Sequence, residues 1–147
     1  MYFMKTRFLI LMIVLLGMFV GGCHEIPEGF LETGEANYNP DTLIVRKTLD
    51  PKFDEIRMEN GAPWVSIKME GYLGTEQINF SIESVTSEGN EAGAAEFMKN
   101  LSVRGAGALV YPQGTNVPEG RYVVSVRLTN PGYSQVVKDC FTFIVKD

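Results

Sequence analysis

Pro118-Glu119-Gly120-Arg121-Tyr122-Val123-Val124-Ser125-Val126-Arg127-Leu128-Thr129-Asn130, followed by Pro131-Gly132 and then by Phe141-Thr142-Phe143-Ile144-Val145, decides the fold. Tyr122, Val124, Val126 and Leu128 alternate with Val123, Ser125, Arg127 and Thr129. Phe141, Phe143 and Val145 alternate with Thr142, Ile144 and Lys146. Period two is what a strand with one buried face needs, because successive side chains leave opposite sides of the backbone. Pro118-Glu119-Gly120 and Asn130-Pro131-Gly132 supply turn chemistry on either side of the first run.

The same period runs upstream. Leu43, Val45 and Leu49 share one parity against Arg46 and Thr48. Val65, Ile67 and Met69 alternate with Ser66, Lys68 and Glu70, and Ile78, Phe80 and Ile82 with Asn79, Ser81 and Glu83. Residues 101–103 and 108–111 read as two short strands around Gly105 and Gly107, whose glycines suit a tight turn or bulge. One segment departs: residues 91–99 are Ala-rich, Asn90 is placed to cap them, and they read as a short helix weakened by Gly93. About seven short strands with one helix predict an all-β domain, a β-sandwich, over residues 42–147.

The run Pro-x-Gly-x-Tyr, alternating Val, Asn, Gly and a Phe/Val strand is similar to the last hairpin of bacterial immunoglobulin-like and cadherin-like modules. That resemblance implies an immunoglobulin-like sandwich in which Tyr122 opens the buried face and ties its hydroxyl to the backbone near the corner.

The other end of the chain is an address. Residues 1–7 carry Lys5 and Arg7 and no acid, and residues 8–20 are apolar apart from Gly17. Thirteen residues fall short of the roughly 20 that a membrane-spanning helix needs. A basic start, an apolar stretch and small residues read as a secretory signal. It ends Val20-Gly21-Gly22-Cys23, which resembles the lipobox of bacterial lipoproteins, with Gly21 where Ala or Ser is commoner. The resemblance implies cleavage between Gly22 and Cys23 and acylation of Cys23, giving a signal peptide over 1–22. Residues 23–41 hold Pro27, Gly29, Gly34, Pro40 and four glutamates without periodicity, and are expected to form a tether. Signal, lipobox and domain together resemble the Bacteroidetes outer-membrane lipoproteins found beside starch-utilisation-type uptake systems. In those families an immunoglobulin-like domain serves as a spacer beneath glycan-binding modules. The Glu25 and Glu28 acids after the cysteine loosely resemble a surface-export signal, so either face of the membrane is open. Asp41-Thr42-Leu43 resembles an O-glycosylation site of the same group, on Thr42.

The whole chain of 147 residues has a formal charge of −5. Without residues 1–22, eleven basic residues face eighteen acidic ones, a charge of −7. An acidic body without a basic stripe argues against a nucleic-acid partner. The one histidine, His24, lies in the tether, so a nucleophile–His–acid triad has no base in the domain. No Cys/His cluster or calcium-loop motif marks a metal site, and no cofactor motif is present. With Cys23 acylated, Cys140 is the odd thiol, expected to be buried and inert. Trp64 is the aromatic with two readings. It packs in the core, or, sharing the parity of Ser66 and Lys68, it stacks a sugar or partner together with Tyr72, Tyr111 and Tyr133. The expectation is therefore a non-enzymatic, lipid-anchored envelope protein, a spacer or protein-interaction module, with surface glycan binding as the alternative.

Overall fold

A computed structural model of the chain describes residues 1–17 and 29–147. Helix α1 (Tyr2–Gly17) is followed, after the undescribed segment, by strands β1 (Leu31–Glu32) and β2 (Thr42–Arg46), helix α2 (Pro51–Asn60), and strands β3 (Trp64–Val65), β4 (Leu73–Gly74) and β5 (Asn79–Thr86). Helix α3 (Glu91–Asn100) leads to β6 (Ser102–Arg104), β7 (Ala108–Tyr111), β8 (Gly120–Asn130) and β9 (Tyr133–Lys146). The strands form a four-stranded sheet β2-β9-β8-β5, a three-stranded sheet β3-β7-β6 and a small pair β1-β4. Among the described residues the protein is mostly β, with three sheets and three helices, and no sheet closes into a barrel. The all-β expectation with a single short helix is thereby corrected. Residues 51–60 are helical, and their start is written as Asp50-Pro51, a capping carboxylate followed by a proline at the first helical position. Gly61, left-handed at φ 62°, ends the helix.

The two large sheets share one core. Tyr122, Val124, Val126, Leu128 and Phe143 are 0% exposed, as the alternation in 118–145 requires, and Leu109 and Tyr111 meet them from β7. Phe97 of α3, also fully buried, stacks between Tyr111 (4.0 Å) and Tyr122 (4.5 Å). The helix therefore closes the space between the sheets with an aromatic side chain. Asn90 caps α3 by accepting from Gly93 N–H at 3.0 Å, and its amide donates to the Tyr122 hydroxyl. That hydroxyl donates in turn to Pro118 O at 2.7 Å, so corner, strand and cap are one network. Gly93 is part of the device rather than a weakness: a Cβ there would lie 2.2 Å from the Asn90 amide.

Two further expectations change. In residues 64–67 the inward parity is the opposite one: Trp64 and Ser66 are buried while Ile67 is 38% exposed; Met69 is buried, as expected. The strand is only two residues long, and the Ser66 hydroxyl continues its ladder by accepting from Leu109 N–H at 2.8 Å. The tether reading of 23–41 fails in its second half. Leu31 and Tyr38 belong to the core, Tyr38 donates its hydroxyl to Gly107 O, and Asn37 bridges Glu70. Asn130 donates to Phe30 O and Thr75 O and clamps the chain where it enters the body. The packed body thus begins about a dozen residues before Thr42.

That clamp sets the long axis. Asn130 and Tyr133 flank the β8–β9 turn. From there β9 runs 14 residues, about 40 Å when extended, to its far end. At that far end β2 pairs parallel to β9, from Thr42↔Thr142 to Arg46↔Lys146, and hands the chain to α2. The chain enters at one pole, and α2 sits at the other.

Candidate functional site

The four aromatics read as a binding platform do not form one. Trp64 and Tyr111 are cross-strand partners in β3 and β7, but both lie in the core, 3% and 0% exposed. Neither ring has a free face, which corrects their assignment as ligand contacts. The Tyr111 hydroxyl donates to Thr115 at 2.9 Å, and burial raises its pKa. Tyr72 is half-buried against Phe80, edge to face at 5.2 Å, and Tyr133 is half-buried at the β8–β9 turn. Thr42 stands exposed at the start of edge strand β2, its hydroxyl donating to Asp41 at 3.0 Å. Cys140 is free and half-buried, and burial pushes its thiol up to about 11, as an inert thiol requires. Gly22 and Cys23 lie outside the described residues. Among the described residues no helix is long and apolar enough to cross a membrane, and no group of three or more acidic, His or Cys side chains is placed to hold a metal ion.

The structure presents instead a site that pattern reading missed, at the α2 pole. Asp54 is 1% exposed in the middle of α2. Its carboxylate accepts from Arg46 at 3.0 and 3.2 Å, from Arg57 at 3.0 Å and from Asp50 N–H at 3.1 Å. Burial alone would raise its pKa. The backbone bond from Asp50 and the two guanidinium groups outweigh that and hold the carboxyl below its ordinary value. Arg57 also lies over the Trp64 ring, 4.9 Å from its centroid, so the core tryptophan is the floor of this cluster. Gln113 donates to Arg57 O at 2.9 Å and Ala62 O at 2.6 Å, satisfying carbonyls at the helix end.

Asp54 and Arg57 therefore face the body from α2, while its large apolar side chains face out. Phe53, Ile56 and Met58 are 62, 71 and 50% exposed. Arg46 and Lys52 lie 5.3 and 5.4 Å from the Phe53 ring centre. Asp50, Pro51 and Gly61 could have located the helix from sequence. The inward Asp54 could not be read, because a charged residue in a helix is by default placed outside.

Comparison with protein-family models, with curated proteins and with solved structures finds no match.

Proposed function

We propose that this protein is a lipid-anchored cell-envelope module of immunoglobulin-like type. It acts as a non-enzymatic spacer that presents a protein-interaction surface on α2. The observation that carries the reading is the polarity of the body. The chain enters beside the β8–β9 turn, where Asn130 clamps it, and the outward Phe53, Ile56 and Met58 lie at the opposite end. A tether on Cys23 would hold the entry pole near the bilayer and the α2 pole about 40 Å away, the length of β9. Several acyl chains on Cys23, at about 0.8 kcal/mol per buried CH₂, make such an anchor effectively permanent.

The sheet order supports the immunoglobulin-like assignment. Lettered in chain order from β2, omitting the β1-β4 pair, the sheets are B-E-D (β3-β7-β6) and C-F-G (β5-β8-β9), the first strand adding parallel to G. The Tyr122–Pro118 bond matches the tyrosine corner of that fold. The sequence supports the anchor through residues 8–20 and Val20-Gly21-Gly22-Cys23.

Expression of the full chain in a Gram-negative host with an alkyne fatty acid tests the anchor. Label on the wild type, no label on Cys23→Ala, and a mature N-terminus at Cys23 are expected. An unlabelled chain, or one whose N-terminus maps elsewhere, overturns it. A photo-crosslinking residue at Ile56 tests the presenting surface: one discrete adduct with another envelope protein is expected, and absence of any adduct removes the interaction role.

A further inference from the structure

We infer that the free edge of β2 docks the β2 of a second copy of this chain, the two strands running antiparallel about a two-fold axis at Ile44. β2 is the outer strand of the four-stranded sheet and pairs with β9. The register fixes which groups that pairing uses. Asp41 O accepts from Thr142 N–H at 2.8 Å, and Lys47 N–H donates to Lys146 O at 2.9 Å. In a parallel ladder alternate residues turn their backbone groups to the neighbour, so Asp41, Leu43, Val45 and Lys47 face β9. Thr42, Ile44 and Arg46 turn their N–H and C=O the other way. Thr42 and Ile44 are exposed, and among the described residues no other element runs alongside β2. The opposite edge of the sheet, β5, is lined by α3 and β6. β2 lacks the usual guards of an edge. It holds no proline and no bulge, and its one charge, on Arg46, is engaged by Asp54.

The occupant follows from the edge itself, which fits its own reverse. An antiparallel register centred on Ile44 sets Ile44 against Ile44, Thr42 against Arg46 and Leu43 against Val45. The three outward residues of each copy then exchange both hydrogen bonds with their opposites. The same register sets Asp41 of each copy opposite Lys47 of the other. Both side chains are exposed, and neither forms an ion pair within its own copy among the described residues. A slip of two residues either way loses a bonded pair and sets Asp41 against Val45, or Lys47 against Leu43. A foreign strand would meet the same backbone groups without the two reciprocal charge pairs. The two-fold axis reverses the second body, so the two entry poles leave in opposite directions. On upright, anchored bodies this pairs copies on facing bilayers; that consequence alone rests on the anchor reading.

Amide hydrogen exchange of the isotope-labelled full chain in excess detergent micelles, at about 50 μM and about 1 mM chain, reads the pairing. The N–H groups of Thr42, Ile44 and Arg46 should exchange several-fold more slowly at the higher concentration. Those of Leu43 and Val45, bonded to β9, should not change. Ile44→Pro removes one outward N–H and leaves the β9 ladder intact, so it should abolish the concentration dependence. Asp41→Lys should weaken pairing about threefold to tenfold, because each pair of copies holds the charge contact twice, and adding Lys47→Asp should restore it. In Ile44→Cys, mild oxidation should link residue 44 to residue 44 of the second copy, since Cα atoms of such a pair lie about 5.5 Å apart. Exchange that ignores concentration overturns the inference. So does slow exchange of the three N–H groups at both concentrations, which would mean that the chain covers its own edge. A disulfide from residue 44 to any other residue overturns it as well. Pairing in micelles does not require acylation, so its failure leaves the lipoprotein reading untouched.

Discussion

Helices α2 and α3 are each ten residues long and are attached to the same body by opposite means. α3 turns Gly93, Ala94 and Phe97 inward and is held by stacked aromatic rings. α2 turns a carboxylate inward, is held by Arg46 of β2, by its own Arg57 over the Trp64 ring and by Gln113, and leaves its large apolar residues in solvent. An apolar anchor is cheap to bury and indifferent to pH. A charged anchor must be fully paired to be stable, and it frees the apolar side chains for another surface.

The largest effect should come from the apolar anchor. Phe97→Ala removes a fully buried ring from between the sheets, and chemical denaturation should show a loss of about 3–5 kcal/mol. If the loss were below about 1 kcal/mol, α3 would not be an apolar anchor at all. Asp54→Ala should cost about 3 kcal/mol, because it strands Arg46 and Arg57 around an empty, water-poor centre. Hydrogen exchange should then rise across α2 before it rises in β8. The sign of the pH dependence separates the helices further. The Asp54 carboxyl is held below its ordinary value when folded. Its stabilisation is complete above the unfolded carboxylate range near pH 4 and is lost as pH falls through the folded value. Asp54→Asn should flatten the acid limb of stability, and Phe97→Ala should leave its slope unchanged.

A smaller effect tests the cap of α3. Gly93→Ala improves helix propensity on paper, yet its Cβ would strike the Asn90 side chain, so a loss of about 1 kcal/mol is expected. A gain in thermal stability would show the cap to be dispensable. The smallest change belongs to the outward face of α2. Ile56→Ser should alter folding stability by less than about 0.5 kcal/mol, while diminishing any adduct formed at that pole.

The same contrast explains how much of the fold was legible. The hairpin and α3 were readable because period, cap and turn residues agree with burial: Tyr122 to Leu128 in β8, Phe141 to Val145 in β9, and Asn90 before α3. α2 was obscured because Leu49 continues the alternation past the end of β2, and because the one side chain that α2 buries fully is a carboxylate, Asp54, while Phe53, Ile56 and Met58 stay outside. The β9 strand is longer than its alternation suggests. Three residues, Lys138, Asp139 and Cys140, face Ser125 across an irregularity in which Asp139 adopts φ 47° and its N–H bonds the Ser125 hydroxyl. That bulge breaks the period. The aromatic platform failed for a related reason: Trp64 shares its side with Ser66, but that side is the buried one, because Ser66 turns its hydroxyl to Leu109 N–H rather than to water.

The parallel pairing of β2 with β9 has a mechanical meaning. Tension applied between the entry pole and Asp147 runs along these two neighbouring strands in opposite directions. Their ladder, from Thr42↔Thr142 to Arg46↔Lys146, is then loaded in shear, and its bonds must give way together rather than open singly as in a zipper. The strand that the chain meets on its way to α2 is also the clasp that a pull must break first across the four-stranded sheet.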